Sequence, residues 1–182
     1  SAKICGLNTQ ESIAAAVSGG ADFIGIVFYP PSPRYVPPEQ AAALIRTLPS
    51  SVTSVGLFVD ASDDVISESL KSVRLDMLQL HGNESPDRVR ELREMFGRKT
   101  IKAIKVETAA DVEAAGAYDD SADWLLFDAK PPKDITGALP GGNALAFDWH
   151  LLEDRSWKKP WMLSGGLNVE NVVEAISISG AT

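Results

Sequence analysis

Short apolar runs rich in β-branched and aromatic residues recur along the whole chain. They are Lys3–Cys5, Phe23–Phe28, Ser54–Val59, Met77–Leu80, Ile101–Lys105, Trp124–Phe127 and Trp161–Leu163. Each is of strand length, and Phe-Ile-Gly-Ile-Val-Phe at positions 23–28 shows no polar alternation, as in a strand covered on both faces. Between the runs the spacing turns helical: Ser12–Val17, stopped by Gly19-Gly20; Pro37–Ile45, with proline in its first turn; then Val65–Val73, Pro86–Phe96, Ala109–Ala117 and Val169–Ile178. Ser62 and Asn168 stand where N-caps of the third and last of these helices belong.

Strict strand–helix alternation predicts a parallel α/β fold with right-handed crossovers. Both an open doubly wound sheet and a closed (β/α)8 barrel satisfy it. No Gly-x-Gly-x-x-Gly follows the first strand, which removes the main support for a dinucleotide-binding open sheet. No linker or low-complexity stretch divides the chain, so 1–182 reads as one domain. The segment Asp128–Ala146, rich in Pro and Gly, reads as a long mobile loop, a lid over a ligand.

Composition narrows the function classes. Apolar residues make up 45% and charged residues 23%, the balance of a globular protein. The net charge of -8 opposes nucleic-acid binding, and no apolar run is long enough to span a membrane. One cysteine and two histidines form a poor zinc inventory, so no metal is expected. The N-terminal Ser-Ala-Lys-Ile-Cys-Gly lacks a basic segment followed by an apolar one, so a secretory leader is not expected and a cytoplasmic location is.

Polar residues collect where the runs end. Cys5 closes the first, Arg34 follows the second, and Asp60 follows the third. Gln79 and His81 close the fourth, Lys105 the fifth, Asp128 the sixth and Ser164-Gly165-Gly166 the seventh. Parallel strands place their C-terminal ends on one rim, so this set converges into a site for a polar or anionic ligand, held by Arg34, Lys105 and glycine N–H groups. Singly, each residue also has a plain structural role: Cys5 as a buried hydrophobe, His81 as a hydrogen-bonding group, Asp60 and Asp148 as helix caps.

Lys3-Ile4-Cys5-Gly6, Ser32-Pro33-Arg34-Tyr35, Gly56-Leu57-Phe58-Val59-Asp60 and Gln79-Leu80-His81-Gly82 occur in a distinctive order. Leu126-Phe127-Asp128-Ala129-Lys130, Gly141-Gly142-Asn143, Phe147-Asp148-Trp149 and Ser164-Gly165-Gly166-Leu167-Asn168 continue it. The series resembles phosphoribosylanthranilate isomerase, a tryptophan-pathway enzyme with a (β/α)8 barrel, over essentially the full chain. The resemblance implies an Amadori rearrangement of N-(5-phosphoribosyl)anthranilate to 1-(2-carboxyphenylamino)-1-deoxyribulose 5-phosphate. It implies Cys5 as general base and Asp128 as general acid. It also implies Arg34, Gln79, His81, Gly141, Gly142, Ser164, Gly165 and Gly166 around the substrate, in a monomer or homodimer that needs no cofactor. A thiol with a pKa of about 8.5 is a few per cent thiolate at neutral pH, a fraction that a nearby cation such as Arg34 raises.

Two departures from the family pattern shape the expectations. Ala144 stands where a second glycine is usual, which speaks against a positive φ there. The sequence reaches Thr182 about where the eighth strand begins, so the expectation is a barrel of about seven βα units without the last one, and with half of its phosphate grip. The competing readings are a related phosphosugar barrel such as indoleglycerol-phosphate synthase, which needs a lysine–glutamate set at strand ends, and a catalytically dead phosphate-binding barrel.

Overall fold

Seven of the predicted apolar runs do become strands, and all of them pair in parallel. A computed structural model describes residues 1–131, 139 and 141–181. The strands are β1 (Lys3–Cys5), β2 (Phe23–Val27), β3 (Thr53–Phe58), β4 (Met77–Leu80), β5 (Lys99–Val106), β6 (Trp124–Ala129) and β7 (Trp161–Leu163), joined in sequence order into one sheet. Register is continuous across it: Cys5 pairs with Gly25, Val27 with Leu57, Leu57 with Gln79 and Lys105 with Asp128.

The sheet curls. The rings of Phe23 on β2 and Trp124 on β6 meet edge to face at 5.6 Å. Four strand intervals in a flat sheet would hold them about 19 Å apart at the usual spacing of ~4.8 Å. Val55, Met77, Ile101, Ala103 and Leu126 complete the cluster inside the curve. Alternate residues, among them Ile24, Ile26, Phe58, Leu78 and Leu80, face outward onto the helices. Both faces are apolar and buried, which explains why β2 shows no polar alternation.

The helices are α1 (Gln10–Ser18), α2 (Pro38–Ile45), α3 (Asp63–Ser72), α4 (Pro86–Phe96), α5 (Ala109–Glu113) and α6 (Val172–Ser179). Their starts follow the side chains that satisfy free N–H groups. α1 begins two residues earlier than its spacing suggests because Thr9 accepts from the Ser12 N–H at 3.2 Å in a capping box. Ser62 caps α3 as expected. Asn168 does not cap α6. Its Oδ1 accepts the N–H groups of Glu170 and Asn171 at 2.8 and 3.1 Å, forming a turn that delays the helix to Val172. The expected Ala109–Ala117 helix divides into α5 and a 3-10 stretch, Ala114–Tyr118. Asp148 caps a second 3-10 turn, Trp149–Leu152, through the His150 N–H. Of the lid expected over 128–146, residues 132–138 and 140 lie outside the described residues, and Asp128 and Ala129 belong to β6.

One buried polar network braces the loops above β3 and β4. On the outward face of β5, Lys102 donates to the Gly82 carbonyl at 2.9 Å and to Glu84 Oε2 at 2.6 Å. Glu84 Oε1 accepts the N–H groups of Asp60 and Gly82, and the Tyr118 hydroxyl donates to the Glu84 carbonyl. Asp60 takes a left-handed φ of 46° and accepts the Asn83 N–H at 2.6 Å. The turn directly after His81 is thereby pinned from three sides.

Burial opposes the Glu84 charge, but the Lys102 ammonium and the main-chain N–H of Asp60 outweigh it and hold the carboxyl below its usual range. A depressed folded-state pKa stabilises the fold above the unfolded-state value, about 4.3, and that stability is lost as pH falls through the folded value. Urea denaturation from pH 7 down to pH 3 is expected to show a fall in stability below about pH 4.3 that is much smaller in Glu84→Gln. Lys102→Ala, which strands a buried carboxylate, is expected to cost about 3–5 kcal/mol at pH 7.

Ala144 adopts φ 55° despite its side chain, so the expectation from its identity is corrected: the turn does require the left-handed conformation. Ala144→Gly should raise stability by about 0.5–1 kcal/mol, the left-handed penalty less the added entropy of an unfolded glycine, as read by the denaturation midpoint.

Candidate active site

A cavity opens at the C-terminal ends of the strands. Counting its open mouth, it spans about 550 Å³. Cys5, Arg34, Gln79, His81, Asp128, Gly141, Gly142 and Ser164 all line it, over an apolar floor that includes Val27, Leu57 and Leu126. Period-two geometry explains the convergence: the same face of each strand that carries interior apolar residues lower down carries polar residues at the rim.

Cys5 ends β1 opposite Gly25, and a methyl group at position 25 would lie 2.6 Å from the Cys5 sulfur. The absent side chain is what lets the thiol lie over β2. Arg34 reaches back across the cavity mouth between two glycines. A Cβ at Gly6 would come within 2.6 Å of its Cδ, and one at Gly142 would collide with the guanidinium. Its main chain is held by the Ser32 hydroxyl, which accepts the Arg34 N–H at 3.2 Å.

The polar centre is a chain of three buried side chains. Gln79 is 2%, His81 5% and Asp128 3% exposed. Gln79 Nε2 lies 2.8 Å from His81 Nδ1, and His81 Nε2 lies 3.1 Å from Asp128 Oδ2. Asp128 Oδ1 accepts the Ala129 N–H at 3.0 Å. Gly141 packs on the His81–Asp128 contact, where an added Cβ would sit 2.7 Å from Oδ2.

Gly165 and Gly166 do not line the cavity. They stand behind it at φ 92° and 62°, against the main chain of Ala129, Leu145 and Ala146, and so seat the long loop on the rim. Asp60 and Lys105 also stay out of the lining: Asp60 is engaged by Asn83, and Lys105 is the register partner of Asp128 on the neighbouring strand. Three polar lining residues escaped sequence reasoning, namely Lys3, Tyr29 and Ser32. Lys3 had a usable signal, since it lies two residues before Cys5 and therefore on the same strand face. Among the described residues, no group of three His, Cys, Asp or Glu side chains is placed to hold a metal ion. No described helix is long and apolar enough to cross a membrane.

Comparison with known proteins agrees with this geometry. The family model described as N-(5'phosphoribosyl)anthranilate (PRA) isomerase matches residues 2–182. The chain is 54% identical over 180 residues to N-(5'-phosphoribosyl)anthranilate isomerase of Rhodospirillum centenum, covering 99% of this chain and 84% of that protein. It is 52% identical to the enzyme of that name from Paramagnetospirillum magneticum, covering 98% and 82%. Among solved structures, phosphoribosyl anthranilate isomerase from Thermotoga maritima superposes with a TM-score of 0.85 at 36% identity, covering 99% of this chain and 83% of that one. A structure of phosphoribosyl anthranilate isomerase in complex with reduced 1-(o-carboxyphenylamino)-1-deoxyribulose 5-phosphate superposes at 0.81 with 35% identity, covering 99% and 82%. With its parallel (β/α) barrel wall and a rim cavity lined by Cys5 and Asp128, the chain belongs to the N-(5'-phosphoribosyl)anthranilate isomerase family.

Proposed function

We infer that the chain is a phosphoribosylanthranilate isomerase. It converts N-(5'-phosphoribosyl)anthranilate to 1-(2-carboxyphenylamino)-1-deoxyribulose 5-phosphate, the aldose–ketose step in tryptophan biosynthesis. The observation that carries the assignment of roles is the presence of one thiol and one buried carboxyl in the same cavity, from β1 and β6. Asp128 protonates the ribose ring oxygen, the C1–O bond breaks, and the nitrogen lone pair forms a C1=N iminium. The Cys5 thiolate removes the proton from C2, its electron pair passes to C1 through the new enolamine, and tautomerisation leaves C2 as the ketone. C2 is oxidised and C1 reduced within one molecule, so the electrons balance without an external carrier.

The other lining groups fit the two anionic ends of the substrate. Arg34, clamped between Gly6 and Gly142, meets the anthranilate carboxylate with a planar fork of donors. Gln79 and His81 form the wall beside the acid. Ser164 takes the phosphate side, with Gly165 and Gly166 seating the loop behind it, and Gly141 and Gly142 bring main-chain N–H groups to the roof. No glutamate lines the cavity among the described residues, and the buried Lys102–Glu84 pair lies on the outer face of β5. The lysine–glutamate chemistry of an indoleglycerol-phosphate synthase therefore has no place here. A Thermotoga maritima relative is described as a dimeric isomerase from which monomers were generated, and a monomer or homodimer suits this chain. A working thiolate also suits the reducing cytoplasm.

The test is conversion of N-(5'-phosphoribosyl)anthranilate by the purified chain; binding of a reduced product analogue without turnover would instead mark a catalytically dead barrel. Cys5→Ser and Asp128→Asn are each expected to lower kcat by about 10²–10⁴-fold while analogue binding survives. Near wild-type kcat in either variant overturns that residue's role. Gly25→Ala should displace the Cys5 sulfur and lower kcat without unfolding the chain, seen as slowed alkylation of Cys5 alongside an unchanged circular dichroism spectrum.

A further inference from the structure

Gln79 poses a problem that substrate contact alone does not solve. Its amide is buried and only partly used: Nε2 meets His81, while Oε1 is enclosed without a hydrogen-bond partner among the described residues. An orphaned buried carbonyl costs about 1–3 kcal/mol, so an apolar side chain of the same shape would serve the barrel wall better. Among the described residues, the amide's one side-chain partner is the His81 ring. An amide NH2 donates and cannot accept, so Nδ1 must offer its lone pair and the neutral ring must carry its proton on Nε2. That N–H then donates to Asp128 Oδ2. Turning the amide over would move the ring proton to Nδ1 and set a bare Nε2 against Oδ2, where it would draw the acid proton of Asp128 away from the cavity.

We propose that Gln79 is a positioning residue that fixes His81 as the Nε2–H tautomer, so that His81 holds Asp128 with its free lone pair aimed into the cavity. Oδ1 is committed to the Ala129 N–H and Oδ2 to His81, so the carboxyl cannot rotate. Gly141 seals the contact from above, where a side chain would push His81 and Asp128 apart. The acid proton is left one place to sit, toward the substrate. The inference rests on Asp128 as the general acid; the tautomer itself does not.

Nitrogen-15 NMR of the ligand-free protein decides the tautomer directly. The chain has two histidines, and the other, His150, is exposed, so His150→Gln assigns the signals. His81 is expected to show one protonated nitrogen, Nε2. Gln79→Glu, whose carboxylate can only accept, should place a proton on Nδ1, and Gln79→Met should release the ring to exchange between tautomers. Both variants should lower kcat about 10- to 100-fold, the size of effect known for groups that orient a ligating histidine, with KM little changed. His81→Gln, which keeps an N–H near the Nε2 position, should retain more kcat than His81→Ala. An Nδ1–H tautomer in the unmodified protein overturns the inference, as does a Gln79→Met variant with the same tautomer and kcat. Absence of turnover in the unmodified chain would count against the isomerase reading while the NMR result still stands on its own.

Discussion

The parallel register of the seven strands is the constraint on which everything else depends. Once Cys5 is opposite Gly25, Leu57 opposite Gln79, and Lys105 opposite Asp128, the parity of every position is set. A slip of one residue in any strand would turn its rim residue out toward the helices and bring an outward apolar residue into the cavity. The interior cluster of Val55, Met77, Ile101, Ala103 and Leu126 resists such a slip, because it would expose the same face that the curled sheet has closed. Packing deep in the barrel therefore aims chemistry at the rim.

Rim side chains still need their orientation, and here glycines and loops do the work. Gly25 makes room for the Cys5 sulfur, Gly6 and Gly142 for the Arg34 guanidinium, and Gly141 for the His81–Asp128 contact. The Lys102–Glu84 network acts one layer further out. By pinning Gly82 and Asp60 it fixes the turn that follows His81, so a buried ion pair on the helix side of the sheet supports a hydrogen bond on the cavity side. Removing either partner would leave a charge in the low-dielectric layer between β5 and α4, which makes the pair costly to break even where its net stabilisation is modest.

Two conformations that sequence would not favour occur in the loops above the sheet. Asp60 and Ala144 both sit at positive φ with a side chain present. Asp60 recovers part of that cost through the Asn83 N–H, as short polar side chains commonly do in the left-handed region. Among the described residues no hydrogen bond of comparable kind serves Ala144, which lies in the tight loop that brings Gly141 and Gly142 onto the cavity. Local preference yields there because the loop ends are held by packing against Asp128 and Arg34.

What the sequence determined by itself was local or periodic. Runs of apolar residues of strand length, alternating with helical spacing, were enough for the number, order and parallel sense of the strands, because each signal lies within a few residues. The same period of two placed Cys5, Gln79, His81 and Asp128 on one rim, and could have added Lys3. Helix starts were read less well: Thr9 and Asn168 moved them by two or three residues, through hydrogen bonds whose choice between cap and turn depends on the final backbone. Tertiary structure alone decided the rest. That Gly165 and Gly166 support the loop from behind, that Asp60 and Lys105 stand outside the cavity, and that Ala144 is left-handed follow from contacts between segments dozens of residues apart. So does the Gln79–His81–Asp128 chain, since 47 residues separate its histidine from its aspartate. Side-chain period states which face a residue occupies; only the curl of the sheet brings β4 and β6 close enough for a 3.1 Å hydrogen bond across the cavity.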